Sequence, residues 1–181
     1  MSQMPQTALR RPALFALFIA LAVALDQVIK LAVERHLPFQ ELVPVIPMLG
    51  LFRTYNQGIA FSLLSGLGDG LLIAIAVFVS IFVLYLWANT DPRRLFAQIG
   101  FALIMAGAIG NVIDRILLGH VIDYILIYTQ TWSFAVFNLA DSFITIGAGF
   151  VILDEILEAV RQKSRQSARQ KGDDHDAHTD D

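Results

Sequence analysis

The chain contains no cysteine. Disulfides, thiolate metal sites, thioether haem attachment and a cysteine nucleophile are excluded. The chain also cannot carry a lipid on a cysteine of its own. Histidine is scarce, with only His36, His120, His175 and His178. Charge is scarce too: 16% of residues are charged, against about a quarter in an average soluble domain. The few basic residues cluster beside apolar runs, so nucleic acid is not expected as a partner. Ser62, Ser65, Ser133 and Ser142 lack a G-x-S-x-G context. There is no ligand-spacing motif for a metal, so no metal and no cofactor are expected.

What is present is apolar: 56% of the 181 residues are hydrophobic, which points to a membrane. A bilayer core takes about 20 mostly apolar residues in a helix. Four stretches meet or approach that length, at 12–30, 71–88, 95–113 and 137–156. The first follows Arg10 and Arg11 and precedes Ala22-Val23-Ala24, the pattern of a signal peptide. Three further spans make a retained helix the simpler reading. Four crossings put the N-terminus, the 89–94 loop and the C-terminal tail on one side. That side holds nine of the thirteen Lys and Arg residues, so both termini are expected to be cytoplasmic.

The expected fold is an all-α integral membrane protein with four transmembrane helices, occupying residues 1–160 as one domain. Ala102, Ala106 and Gly110 form a small-xxx-small ladder on the third span, and Gly147 and Gly149 offer the same on the fourth. The outer segment 31–70 carries Pro38, Pro44 and Pro47 among extended-type residues, which predicts a small β-like extracytoplasmic lobe. Its end, 58–70, predicts a short interfacial helix that could act as a flap. Residues 161–181 are polar throughout and are expected to be a disordered tail.

On this topology the polar residues converge. Asp26, Asn56, Asn111, Asp114, Arg115, Asp123, Asn138 and Asp141 all fall near the outer surface. Asp123 is expected in the outer loop between the third and fourth spans. Asn111 shares a helix face with Asp114 and Arg115, and Asn138 with Asp141. An amide placed so can fix the rotamer of a carboxyl group. Ionisable groups at membrane depth are functional candidates. Two carboxyl groups held together cannot both ionise easily, so one can act as base and the other as acid. That is aspartic proteolysis. His120 is the one histidine able to serve as a base on that face. A small membrane transporter or channel subunit is the alternative, but its polar site belongs near the midplane.

The chain resembles the lipoprotein signal peptidases, the bacterial type II signal peptidases. The likeness spans roughly residues 14 to 157. It rests on D-Q-x-x-K from Asp26 to Lys30, Y-N-x-G-x-A-F from Tyr55, G-N-x-x-D-R from Gly110, V-x-D ending at Asp123, and F-N-x-A-D ending at Asp141. The resemblance implies a catalytic dyad of Asp123 and Asp141. It gives Asn56, Gly58, Asn111, Asp114, Arg115 and Asn138 as substrate-binding or supporting residues, and Asp26 and Lys30 as a motif of structural or unassigned role. It implies removal of the signal peptide from diacylglyceryl-modified prolipoproteins, before the lipidated Cys. The implied partners are those substrates and membrane lipids, the implied state a monomer, and the implied location the bacterial inner membrane with the site near the periplasmic face. Tyr124 departs from the family's usual Phe after the first catalytic Asp, and Ser133 to Val136 lacks the usual Pro.

Overall fold

A computed structural model describes residues 9, 11–58 and 68–176. The expected interfacial helix and flap fall almost wholly on 59–67, outside the described residues. Four helices and three strands follow in the order α1 (Pro12–His36), β1 (Leu42–Ile46), β2 (Leu49–Asn56), α2 (Gly68–Asn89), α3 (Leu95–Leu118), β3 (Val121–Ile127) and α4 (Leu139–Asp176). Helices α1, α2 and α3 are long and apolar enough to cross a membrane. The described residues are thus mostly helical, with three span-capable helices and a small sheet.

Each boundary has a local cause. Pro12 opens α1, where its missing N–H costs nothing. The helix ends at His36 because Pro38 disfavours helical backbone at Leu37, which is extended. Helix α3 runs to Leu118, five residues past the expected end, and stops at Gly119 in the left-handed region. Gly119 turns the chain directly into β3. Helix α4 continues through Asp176, where the sequence reading placed a disordered tail from Arg161. The polar extension is rich in Arg, Gln and Lys, all good helix formers, and it prolongs a helix already nucleated.

The sheet has the order β1-β2-β3, antiparallel throughout. β1 is an edge strand, which is why Pro44 is tolerated in it. The β-like lobe expected within 31–70 is present as β1 and β2, but it is completed by a strand from elsewhere. Residues 121–127 were read as loop and instead form β3, pairing Thr54 with Asp123 and Asn56 with Val121. Asp123 therefore sits on a strand, not in a loop.

Helix α3 is the axis of the fold. Ala102 and Ala106 are fully buried on it. A Cβ on Gly100 would lie 2.6 Å from the carbonyl oxygen of Gly147, and one on Gly147 would lie 2.6 Å from that of Gly100. The α3 and α4 backbones thus touch where the small residues cross, as expected for Gly147. Gly149 takes no part, with nothing near its Cβ position. Phe15 of α1 stacks on Trp87 of α2 at 4.3 Å between ring centroids, closing the other end of the bundle.

Candidate active site

The site forms where β3, α3 and the start of α4 meet. Phe137 bridges to Ile125 of β3: its N–H donates to the Ile125 carbonyl at 3.0 Å, and its own carbonyl accepts from the Ile125 N–H at 2.7 Å. The next residue, Asn138, precedes the first turn of α4. Its side-chain oxygen accepts the Asp141 backbone N–H at 2.9 Å, and its own backbone N–H donates to Asp141 Oδ2 at 3.3 Å. This is a reciprocal capping box, with Asp in place of the usual Glu or Gln. Asn138 does not hold the Asp141 carboxyl through its amide, as face-sharing suggested. It caps the helix and leaves its NH2 group free to work elsewhere.

That NH2 group donates to Asp123 Oδ1 at 2.7 Å and to Asn111 Oδ1 at 3.2 Å. Asn111 in turn donates from Nδ2 to Asp141 Oδ1 at 2.7 Å. Asn56 Nδ2 donates to Asp123 Oδ2 at 3.0 Å. Three amides from β2, α3 and the α4 cap therefore embrace the two carboxyl groups, Asp123 and Asp141. Asp123 is 1% exposed, while Asp141 is half-buried and lines a cleft of about 530 Å³. The other walls are mostly apolar: Ile127, Phe134, Val136, Phe137 and Ile146. Burial pushes the Asp123 carboxyl up to about 6, and the charge of Asp141 adds to the rise, against the opposing hydrogen bonds of Asn56 and Asn138.

Gly58 shapes this from a distance. Its φ is +83°, and its N–H donates to Asn56 Oδ1 at 2.8 Å. That bond takes up the oxygen end of the amide and leaves the NH2 end for Asp123. A side chain at Gly58 would strain the left-handed backbone and meet Leu72. Gly58→Ala is expected to lower kcat/KM up to about tenfold, the scale of one hydrogen bond. Unchanged steady-state kinetics for this variant would contradict the assignment.

Behind the carboxyl pair lies a second buried cluster. Lys30 Nζ is 2.8 Å from both Asp26 Oδ2 and Asp114 Oδ2, and donates to Asn111 Oδ1 at 3.1 Å. Asp26 Oδ1 accepts the Ala140 N–H at 3.0 Å, placing a carboxylate at the start of α4, where the helix dipole favours it. Asp114 also accepts from Gln27 Nε2 at 2.8 Å and from the Ile122 N–H at 3.3 Å. The cluster ties α1, α3, α4 and β3 together with almost no exposure to solvent. Removing one partner from a buried ion pair costs about 3–5 kcal/mol.

The sequence-derived set is thus divided in two. Asn56, Asn111, Asp123, Asn138 and Asp141 form one group, and Asp26, Lys30 and Asp114 another. Arg115 joins neither; it donates from Nη1 to the Asn111 backbone carbonyl at 3.3 Å, one turn back. His120 packs on Tyr55 at 4.0 Å between ring centroids instead of serving the carboxyl groups. Two further residues matter. Gln27 stands inside the D-Q-x-x-K motif, and its neighbours were the available signal. Tyr124, singled out only as a departure, accepts the Leu139 N–H on its hydroxyl at 3.2 Å and so helps fix the start of α4.

A profile described as signal peptidase (SPase) II matches residues 18–157. The chain is 57% identical over 158 residues to the lipoprotein signal peptidase of Sinorhizobium fredii, covering 87% of this chain and 95% of that one. It is 56% identical over 153 residues to that of Allorhizobium ampelinum, covering 84% and 94%. A solved bacterial membrane enzyme, determined by the in meso method at 2.3 Å, superposes with a TM-score of 0.73 at 30% identity, covering 87% of this chain and 94% of that one. The fold and these relatives define a membrane enzyme, an aspartic-type peptidase. The chain belongs to the signal peptidase II family.

Proposed function

We propose that Asp123 and Asp141 are the catalytic dyad of a peptidase that removes the signal peptide from diacylglyceryl-modified prolipoproteins, cutting before the lipidated Cys. The observation that carries this is the pair of carboxyl groups set among Asn56, Asn111 and Asn138 at the edge of an apolar cleft. The span-capable helices and the family membership support the substrate. The apolar cleft suits the acyl chains, and the peptide then passes Asp141. The first half of α4 forms the fourth crossing, both termini are cytoplasmic, and the site lies near the periplasmic face of the inner membrane. The enzyme works as a monomer among membrane lipids.

The environments divide the roles. Asp123 is buried and holds its proton to higher pH. Asp141 faces the cleft, and its carboxylate takes a proton from water. The water oxygen bonds to the peptide carbonyl carbon while Asp123 protonates the carbonyl oxygen. Asp141 then passes its proton to the leaving amine, the C–N bond breaks, and Asp123 recovers its proton from the collapsing diol. Each group ends as it began.

The pH dependence of kcat/KM tests this division. Cleavage needs Asp123 protonated, so the rate should fall as pH rises through an apparent value of about 6. That value belongs to the coupled pair, not to one residue. A rate independent of pH from 5 to 9 would exclude a proton-donating carboxyl group here.

A further inference from the structure

We propose that Lys30 is a positioning residue for the aspartate pair: it holds the Asn111 amide oxygen so that the amide NH2 faces Asp141. The inference rests on the dyad reading and deepens it.

An amide has a donor end and an acceptor end, and rotation by half a turn exchanges them. At Asn111 the exchange would be ruinous. Its oxygen receives two donors, Lys30 Nζ at 3.1 Å and Asn138 Nδ2 at 3.2 Å. Its nitrogen donates to the Asp141 carboxyl at 2.7 Å. After rotation, an NH2 group would face an ammonium and another NH2, and an oxygen would face a carboxyl group. An ammonium can only donate, so Lys30 permits one orientation of the amide alone.

The geometry of Lys30 fits this role beyond that of a simple ion-pair partner. It has three N–H donors, and three acceptors surround it: Asp26, Asp114 and Asn111. Two are carboxylates that any buried cation would neutralise. The third is an amide that needs no neutralising, and it is the one that touches the dyad. At 2% exposure the ammonium has little water to turn to instead.

The test uses the full chain in detergent with a diacylglyceryl-modified pre-lipoprotein peptide as substrate. Lys30→Met, Asn111→Ala and the double variant are compared. Lys30→Met should lower kcat about 10- to 100-fold, the scale of a misplaced catalytic group, with KM little changed. In the Asn111→Ala background the same change should lower kcat no further. Additive losses would overturn the inference, because independent effects add. So would wild-type kcat in Lys30→Met. Should Lys30→Met fail to fold, Lys30→Met/Asp114→Asn keeps the net charge of the cluster. It is measured against Asp114→Asn alone, with and without Asn111→Ala, under the same criteria. Asp141→Asn runs alongside. Cleavage by that variant would sink the dyad itself; an inactive Asp141→Asn with an additive cycle sinks only the role of Lys30.

Discussion

Asp123→Asn and Asp141→Asn, made separately, are each expected to lower cleavage of a lipidated pre-lipoprotein by about 10³-fold or more, the range lost with a general acid or base. The substitutions are nearly isosteric, so both variants should insert and accumulate normally. Their causes differ. On the proposed mechanism, Asn at 141 removes the carboxylate that takes the proton from water. It also turns an amide toward Asn111, whose NH2 now donates to Asp141 Oδ1. Asn at 123 removes the proposed proton donor and places an NH2 group against Asn56 or Asn138, both of which donate to it. Asp123→Asn should therefore also lose some stability, where Asp141→Asn loses less. Cleavage near the wild-type rate in either variant would refute the dyad. Asp114→Asn provides contrast: it should affect folding more than chemistry, because Asp114 binds Lys30, Gln27 and the Ile122 N–H, not the dyad.

The second large effect is expected from Gly107. A Cβ there would lie 2.7 Å from the Ile144 side chain and 3.1 Å from the Ala140 carbonyl carbon. Backbone cannot yield as a flexible side chain can. Gly107→Val should destabilise the fold by about 3 kcal/mol or more, the upper range for overpacking. It should also impair cleavage in the molecules that do fold. Ala140 adjoins Asp141 and donates its N–H to Asp26, so pushing α4 away from α3 opens the Asn111 to Asp141 bond. Gly149→Ala is the control. Nothing lies within 4 Å of its Cβ position, and alanine there should be neutral or stabilise by about 0.5–1 kcal/mol through helix propensity. Thermal unfolding in detergent measures both. Equal midpoints for Gly107→Val and wild type would show that α3 and α4 do not pack as described.

Much of the candidate site, as a cluster of polar residues, was legible in the chain because rare polar residues in an apolar sequence are conspicuous. Asp123, Asp141 and their amides stood out as soon as the spans were placed. Their hydrogen bonds did not. Helical spacing paired Asn138 with the Asp141 carboxyl, yet the amide went to Asp123, because a helix start offers Asn138 an unpaired N–H to cap. Spacing likewise set Asn111 beside Asp114 and Arg115, yet its amide crosses to α4. Periodicity describes one helix at a time and carries no information about what faces it.

The third strand was missed for a related reason. Val121 to Ile127 has no clean alternation, because its first four residues are buried whichever way they point. A strand covered on both sides reads like any short apolar run. Its partner β2 lies far back in the chain, and only that pairing brings Asp123 beside Asn56. The sequence by itself determined a membrane setting, the apolar spans, an edge lobe and the residue types able to do acid-base work, since those follow from composition and local pattern. Tertiary structure alone decided which carboxyl group is buried and which faces the cleft. It also decided which way each amide points, and that Lys30 reaches the pair through Asn111. Each of these is a contact between distant segments, fixed by helix crossing at small residues and by strand pairing.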